Sequence, residues 1–426
     1  MLGSLFTVLT VGIILYTTFG SEPPAYATDL AAPFALENAQ VLPSGVRNVR
    51  FFNLFMTMEN RFSRTGPGLT PLGNSLNKDI RWRDVYKEQS DQVQRNMIKS
   101  VLSDNGIPED GIAGSATGQV NTFVDVKVPI FAMAITPKFT LAVAVPIVKI
   151  DVSVDTGFVK SADGQAFVKA AGDQSPDKGN EAARKLNNAT TNKLNRLGYQ
   201  SLRSETISGI GDVQLVGKYQ WFGQSNQALA SKLTLTLPTG SKLNEDRALD
   251  PTTGDGRFKM GAALIHDYRF IPQSRWNVYA AYTALMPTSQ VRRLPTSSDD
   301  SLSADKELLN KRLSHLVAAG TSVDYAIQKT GLTITAGYTF QFLSQTHYQG
   351  AAVDDLTIYR YGLLDDLEPS QVQHSLNFNV GFSTVAWYQQ KEFFLPFEVN
   401  VVYSKPIAGR YAPTASVIAG EAVFFF

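Results

Sequence analysis

The chain is 426 residues long, 43% hydrophobic and only 18% charged, with 39 Lys and Arg against 38 Asp and Glu. It is too apolar for disorder and long enough for one large or two ordinary domains, and a net charge of +1 gives no electrostatic footprint for nucleic acid. The absence of cysteine excludes disulfides, thiolate metal sites, Cys nucleophiles and a lipid-modified N-terminal Cys.

Residues 5–19 form an uncharged apolar run, followed by Ser21, Glu22, Pro23, Pro24 and the small-residue pattern Ala25-Tyr26-Ala27. This is the form of a secretory signal cleaved after Ala27, and the run is shorter than the ~20 residues a spanning helix needs. Residues 1–27 are therefore expected to be removed. Residues 28–45 are expected to form a periplasmic tail that could enter from below whatever follows.

From residue 46 onward the recurring signal is period two. Leu332, Ile334, Ala336, Tyr338, Phe340 and Phe342 alternate with Thr333, Thr335, Gly337, Thr339 and Gln341. An extended segment puts these two sets on opposite faces, whereas a helix would scatter both. The alternation returns in 376–383, 232–237 and 121–130. Twelve strands are read from it, at 46–62, 118–135, 139–156, 210–222, 228–239, 257–270, 276–287, 312–327, 332–348, 374–388, 393–404 and 415–426.

The connections sort by length. Five are tight, around Pro137 and at 223–226, 271–275, 328–331 and 389–392. The others include long polar loops at about 63–117, 157–209, 240–256, 288–311 and 349–373. An even strand number with short turns at one end and long loops at the other is the layout of an all-β fold, a transmembrane antiparallel up-and-down β-barrel. Hydrocarbon offers no hydrogen-bond partners, so the sheet must close on itself. Two loops carry short helices: Val93, Met97 and Val101 repeat at i+4 within 82–103, and Ala183, Leu186, Thr190, Leu194 and Leu197 lie between Pro176 and Gly198. Each has one apolar face, which serves either an extracellular cap or a constriction in the mouth.

The chain ends Val423-Phe424-Phe425-Phe426. A terminal Phe resembles the signal that bacterial barrel-assembly machinery reads, with Phe424 and Phe426 as the candidate residues.

If the apolar set faces lipid, the other set faces a lumen. The pore candidates are then Asp125, Lys127, Lys218, Lys232, Lys259, Asp267, Arg269, Asp324, Glu398 and Glu421, with both signs present and no strong field for one ion sign. Twelve strands spaced ~4.8 Å apart and tilted ~40° give a backbone radius on the order of 12 Å, enough for a narrow pore or a bound small molecule. A barrel hydrolase would need Ser, His and a third polar group together. The His-x-Ser spacing that places two on one strand face is missing after His266, His315, His347 and His374. Acidic loops at 245–255 and 354–368 lack the spacing of a calcium loop, so no metal or cofactor is expected.

The stretch Gly209-Ile210-Gly211-Asp212, with Lys218 and Tyr219, followed by Lys232 and Leu237-Pro238-Thr239-Gly240, resembles the central hairpin of outer-membrane transporters of the meta-pathway of phenol degradation, relatives of the FadL-like long-chain fatty acid transporters. The resemblance covers about 210–285 well and the rest of the barrel loosely. It implies a barrel fold in a Gram-negative cell outer membrane and leaves the substrate open. The fatty-acid transporters have more strands than the twelve read here, and no hatch is recognisable in the tail.

The expected function is a non-enzymatic outer-membrane channel, a porin-like transporter for passive uptake of small solutes, hydrophobic or aromatic ones included. Its expected partners are outer-membrane lipid and lipopolysaccharide, the barrel-assembly machinery and small-molecule solutes, with no nucleic acid and with a homo-oligomer left open. The alternatives are a structural or adhesive surface barrel with a filled lumen and, further off, a barrel-rim hydrolase.

Overall fold

The computed structural model describes residues 38–64, 68–87, 92–174, 177, 179–180, 183–184, 189–200, 202–297 and 302–426. The export signal and residues 28–37 of the tail lie outside them.

Twelve strands alternate in facing and form one ring. They are β1 (Arg47–Met58), β2 (Ile112–Thr136), β3 (Phe139–Ala144 continued by Ile147–Lys160), β4 (Glu205–Ile210 continued by Val213–Gly223), β5 (Gln227–Leu237) and β6 (Lys259–Ile271). The second half comprises β7 (Ser274–Leu285), β8 (Ser314–Ala326), β9 (Leu332–Leu343), β10 (Gln371–Ser383), β11 (Phe397–Arg410) and β12 (Val417–Phe425). Each pairs antiparallel with its neighbours in sequence, and β1 pairs with both β2 and β12, so no edge of the ring is left open at the closure. The last residue takes part: Phe426 N–H donates to Arg47 O at 3.0 Å and Arg47 N–H to Phe426 O at 2.9 Å.

Four of the five short turns lie where the sequence placed them. The fifth does not: β10 ends at Ser383, and the connection to Phe397 holds a helical turn, Val385–Gln389. Thr384 Oγ1 clamps this connection by donating to Leu395 O at 2.7 Å and accepting from Phe397 N–H at 3.0 Å. Ala386 and Tyr388 keep the period of Phe378, Val380 and Phe382, which explains why the expected strand ran too long.

At the other end the strands outrun the ring. β2 pairs with the short first segment of β3 along its lower part and with the second segment over Gly114–Lys127. β3 breaks at Pro146, which has no N–H to give the ladder, and its carbonyl accepts from Gly211 N–H at 2.8 Å, where β4 also breaks. Helices α1 (Trp82–Lys87), α2 (Gln92–Asp104) and α3 (Ala162–Gln174) pack above β2 and β3 around Trp82, Ile98, Val101, Leu102 and Phe167, with the Trp82 and Phe167 rings 4.5 Å apart. The helix α4 (Ala189–Arg196) goes elsewhere: Leu194 is 2% exposed within the apolar cluster of the barrel itself. One helical loop thus caps the rim and part of the other enters the mouth. A further helix, α5 (Asp355–Leu367), is capped by Asp354, whose carboxylate accepts from Thr357 N–H at 2.9 Å.

Candidate functional site

The site is the barrel interior, and the register decides what faces it. On β8, Tyr325, Val323 and Val317 are exposed while Ser314, Ser322 and Asp324 are buried, so odd positions point out and even ones in. The outer face from Tyr325 to His315 spans ten residues, about 25 Å along the barrel axis after tilt, the height of an outer-membrane apolar band. Its upper margin is marked by paired rings: Tyr282 Oη meets His315 Nδ1 at 2.7 Å, and Tyr338 Oη meets His374 Nδ1 at 2.8 Å. Its lower margin carries Trp221, Tyr268, Trp276 and Tyr325, all exposed, and the tilted, touching rings of Phe382, Phe397 and Phe424. Outside the closed ring, amphipathic rings at both margins flank a continuous apolar surface, the pattern set by a bilayer. This is an outer-membrane β-barrel. The described residues include no helix long and apolar enough to cross a membrane, so the strands do the crossing.

The interior has two unlike halves. On β1, β2 and β3 the inward side chains are apolar: Leu54, Met56, Met58, Val124, Val126, Val128, Val148 and Ile150 are all 0–2% exposed. Burying each contributes roughly 1.5–3 kcal/mol, and they have loop residues to bury against. Leu194, Tyr199 and Ala248 join their cluster, with Leu197, Leu202, Leu249 and Leu302 packed against it. On β6 to β10 the inward face is mixed: Asn277, Ser314, Ser322, Thr335, Thr339, Gln341, Gln373 and Asn377 are buried there, beside Ile265 and, towards the upper end, Leu285 and Leu343.

This division corrects two of the pore candidates. Asp125 and Lys127 share a face with Phe55, Asn53 and Phe131, opposite Val124, Val126 and Val128, so they stand on the outer wall. There Lys127 pairs with Asp125 at 3.6 Å and Lys149 with Asp151 at 2.9 Å. They stand about 25–30 Å above the turn near Pro137, at the outer margin of the band, where charge is tolerated. Assigning the more apolar face to lipid fails on β2 because folded-in loops make the inside the more apolar side.

The other eight candidates lie on inward-facing positions. Lys218 and Lys232 are opposite one another across β4 and β5. Lys259 is 1% exposed and pairs with Asp255 at 3.3 Å. Arg275 pairs with Asp324 and lies 3.7 Å from Asp267. Glu398 accepts from Ser383 Oγ at 3.2 Å, and Glu421 accepts from Arg50 at 3.5 Å and Asn400 at 3.2 Å. Arg269 is on the inward register at the lower end, exposed, its N–H donating to Asn226 O at 2.7 Å.

The tail crosses this lower network. Ala39 N–H donates to Asp267 at 3.0 Å, Ala39 O accepts from Gln220 at 2.9 Å, and Leu42 N–H donates to Thr140 Oγ1 at 2.9 Å. Ala39 is fully buried among Ala228, Ala230, Ile265 and Tyr279. Residues 38–42 therefore lie inside the ring, as the tail could.

Two groups of residues take on roles that the sequence did not assign them. The first is a node made by the Gly-x-Gly-Asp and Leu-Pro-Thr-Gly motifs. Asp212, fully buried where β4 breaks, accepts from Gly240 N–H at 3.0 Å and Asp255 N–H at 3.2 Å, while Thr239 Oγ1 donates to Gly211 O at 2.7 Å. The two loop passes cross at Gly240 and Gly254, where a Cβ on residue 240 would stand 2.5 Å from the Gly254 Cα. Beyond the node the upper segment of β4 is laddered to β3 alone. Its other edge meets the loop, with Thr253 Oγ1 donating to Ile210 O at 2.8 Å. The second is Arg293, 5% exposed. Its guanidinium donates to Glu245 O, Leu197 O and Ser303 O at 2.7 Å, to Gly198 O at 2.9 Å and to Asp246 at 2.6 Å, and lies 4.0 Å over the Tyr199 ring. It ties three loops together across the mouth. Sequence holds no local sign of it, because every partner is remote.

The acidic loops are neutralised by cations. Asp246 has Lys306 and Arg293, and the Lys306 ammonium beside it holds its carboxyl below the usual range. Arg247 reaches Asp250 at 3.5 Å, and burial pushes that carboxyl up to about 6. Glu368 lies between Arg292 at 3.1 Å and Lys311 at 3.5 Å. His347 contacts Asp365 at 2.8 Å, while His315 and His374 are engaged by tyrosines on the outer wall.

No family model matches the chain, and no curated protein does. Among solved structures, an outer membrane channel from Pseudomonas putida F1 is 12% identical, with 91% of this chain and 98% of that one covered at a TM-score of 0.48. The Pseudomonas putida toluene transporter TodX is 10% identical, with 98% and 99% covered at 0.32. The Ralstonia pickettii toluene transporter TbuX is 11% identical, with 99% of each covered at 0.33.

Proposed function

We propose that the barrel is a transporter that lets small hydrophobic or aromatic solutes cross the outer membrane passively, without catalysis. The observation that carries this is the inner wall of β1 to β3: an apolar lining from Phe52 to Met58 and from Val120 to Val128, interrupted at Thr122 alone, facing loop segments rather than a second sheet. A water-filled porin would need a hydrated lining all round, whereas an apolar track gives a poorly hydrated solute a surface to follow. The opposite polar wall, with Lys218, Lys232, Lys259, Asp267, Asp324, Glu398 and Glu421 among its charges, sets weak selectivity for whatever polar atom the solute carries. Lys and Arg are matched by acids over most of it, which disfavours strong selection of one ion sign.

In this reading the loop segments tied by Arg293 form the upper constriction, and residues 38–42 the lower one. Solute passes when these segments move, and its concentration gradient supplies the direction. Lipopolysaccharide outside, the assembly machinery at the β12 end and, as an open matter, further copies of the chain complete the expected surroundings. Reconstituted protein should admit benzyl alcohol or a similar neutral aromatic into liposomes faster than it admits a sugar of equal size; equal or undetectable rates would sink the proposal.

A specific observation also favours the filled-lumen barrel. Leu194, Tyr199 and Ala248 are packed into the wall as tightly as a core. Under that reading the loops serve as a surface for another partner, and loosening them yields no flux at all.

A further inference from the structure

Fully buried cations of the upper interior come with carboxylates. Lys259 has Asp255 at 3.3 Å, and Lys311 and Arg292 share Glu368 at 3.5 and 3.1 Å. Arg257 differs. Its side chain is 0% exposed, its Nη1 donates to the Ser314 hydroxyl at 3.1 Å, and its Nε and Nη2 have no hydrogen-bond partner. An Arg cannot shed its proton to relieve the burial, so a positive fork with two free N–H edges is held out of water.

The Arg257 main-chain N–H donates to Asp255 at 2.8 Å, on a carboxylate that Lys259 already neutralises, while the wall beyond Ser314 is apolar. Ser314 is paired across the ladder with Leu285, and the next inward positions are Leu316 and Leu343, opposite one another. Leu285 and Leu343 are 1% and 2% exposed, and all three belong to or pack on the same apolar cluster that lines β1 to β3. A forked cation thus stands at the edge of the apolar track.

Resting on the transport reading above, we propose that Arg257 and Ser314 form a carboxylate subsite, and that the solutes preferred by this barrel are aromatic monocarboxylates rather than neutral aromatics. The Arg257 Nε and Nη2 hydrogens meet the two carboxylate oxygens side by side, the bidentate geometry that guanidinium favours. The ring then lies against Leu285, Leu316 and Leu343. The neighbouring cations are already neutralised and add little, so discrimination falls on one residue. A neutral aromatic leaves the fork unpaired, which is the condition under which a buried polar site rejects an analogue most strongly.

Benzoate and benzyl alcohol, alike in shape and unlike in charge, are the probes. Benzoate binding to detergent-solubilised full chain is measured by calorimetry, and uptake of both solutes is measured in liposomes. Benzoate should bind, and R257Q should weaken its binding at least ten-fold and lower the uptake ratio of benzoate to benzyl alcohol by a similar factor. Benzoate bound equally well by R257Q, or not bound by the unaltered chain, overturns the subsite. If benzoate binds but neither solute enters liposomes, the transport reading fails while the subsite stands. Should R257Q lose the heat-dependent gel shift of a folded barrel, S314A carries the test: a three- to ten-fold loss of benzoate affinity supports the subsite, and an unchanged affinity overturns it.

Discussion

Replacing Arg293 by Met should release the loops at the mouth while leaving the barrel folded. The thioether keeps most of the stem's volume but removes five donated hydrogen bonds and the contact with Tyr199. Hydrogen bonds to a charged group are worth about 1.5–3 kcal/mol each, but they share one side chain and are not additive, and the freed carbonyls regain water as the loops move. Breaking one side of a buried charged cluster typically costs about 3–5 kcal/mol. A loss of about 4 kcal/mol raises the population of released loops by roughly three orders of magnitude. Amide exchange at 197–200, 244–246 and 303–305 should therefore accelerate by two to three decades, with exchange in β6 to β10 unchanged. Single-channel recordings of R293M should show larger and more frequent openings than the unaltered chain. Unchanged exchange at those segments would refute the assignment of Arg293 as their tie. Faster exchange with no gain in conductance would instead favour the filled-lumen barrel.

The pH response of the 240–256 loop follows from Asp250. Its pKa is raised by burial from 3.8 to about 6, so the folded loop binds the proton more tightly than the released one. Loop stability should rise as pH falls from 7 through 6 and level off near 3.8; exchange protection of 241–250 should increase from pH 7 to pH 5, and D250N should abolish that dependence. Asp212→Ala removes the acceptor for two buried N–H groups and should cost about 2–4 kcal/mol, seen as a lower unfolding midpoint and faster proteolysis within 238–256. Leu194→Asp puts a charge against the apolar inner wall and should expel the α4 segment, measurable as protease cleavage near 194 in intact cells. Deleting Phe426 removes the two closing backbone bonds to Arg47 and should lower the yield of heat-modifiable barrel several-fold, whereas Phe426→Tyr should not.

Strand number, antiparallel order and most short turns could be read directly from alternation, because period two is a property of extended backbone whatever surrounds it. Which face looks inward could not. On β9, Thr335, Thr339 and Gln341 are polar and inside, so the simple rule holds. On β2, Val124, Val126 and Val128 are inside because Leu194, Leu197 and Tyr199 come from a distant loop to cover them, and the charges of Asp125 and Lys127 end up outside. The motif around Asp212 was visible as a motif, but its work was not: only the fold brings Gly240, Gly254 and Asp255 to that carboxylate. Arg257 and Arg293 carried no local signal, since one is defined by partners it lacks and the other by partners scattered from residue 197 to residue 303.

The β12 to β1 seam has a consequence for how the chain is made. Arg50 and Glu421 touch across a separation of 371 residues, and the final main-chain links join residue 47 to residue 426. Until the ribosome has finished and the tail of the polypeptide has been delivered, the sheet can only be a curl with two bare margins. Contacts of such long range are slow to form unaided. Both margins therefore stay unpaired until the last strand arrives, and a transcript cut short by even one strand should leave an open sheet instead of a smaller cylinder.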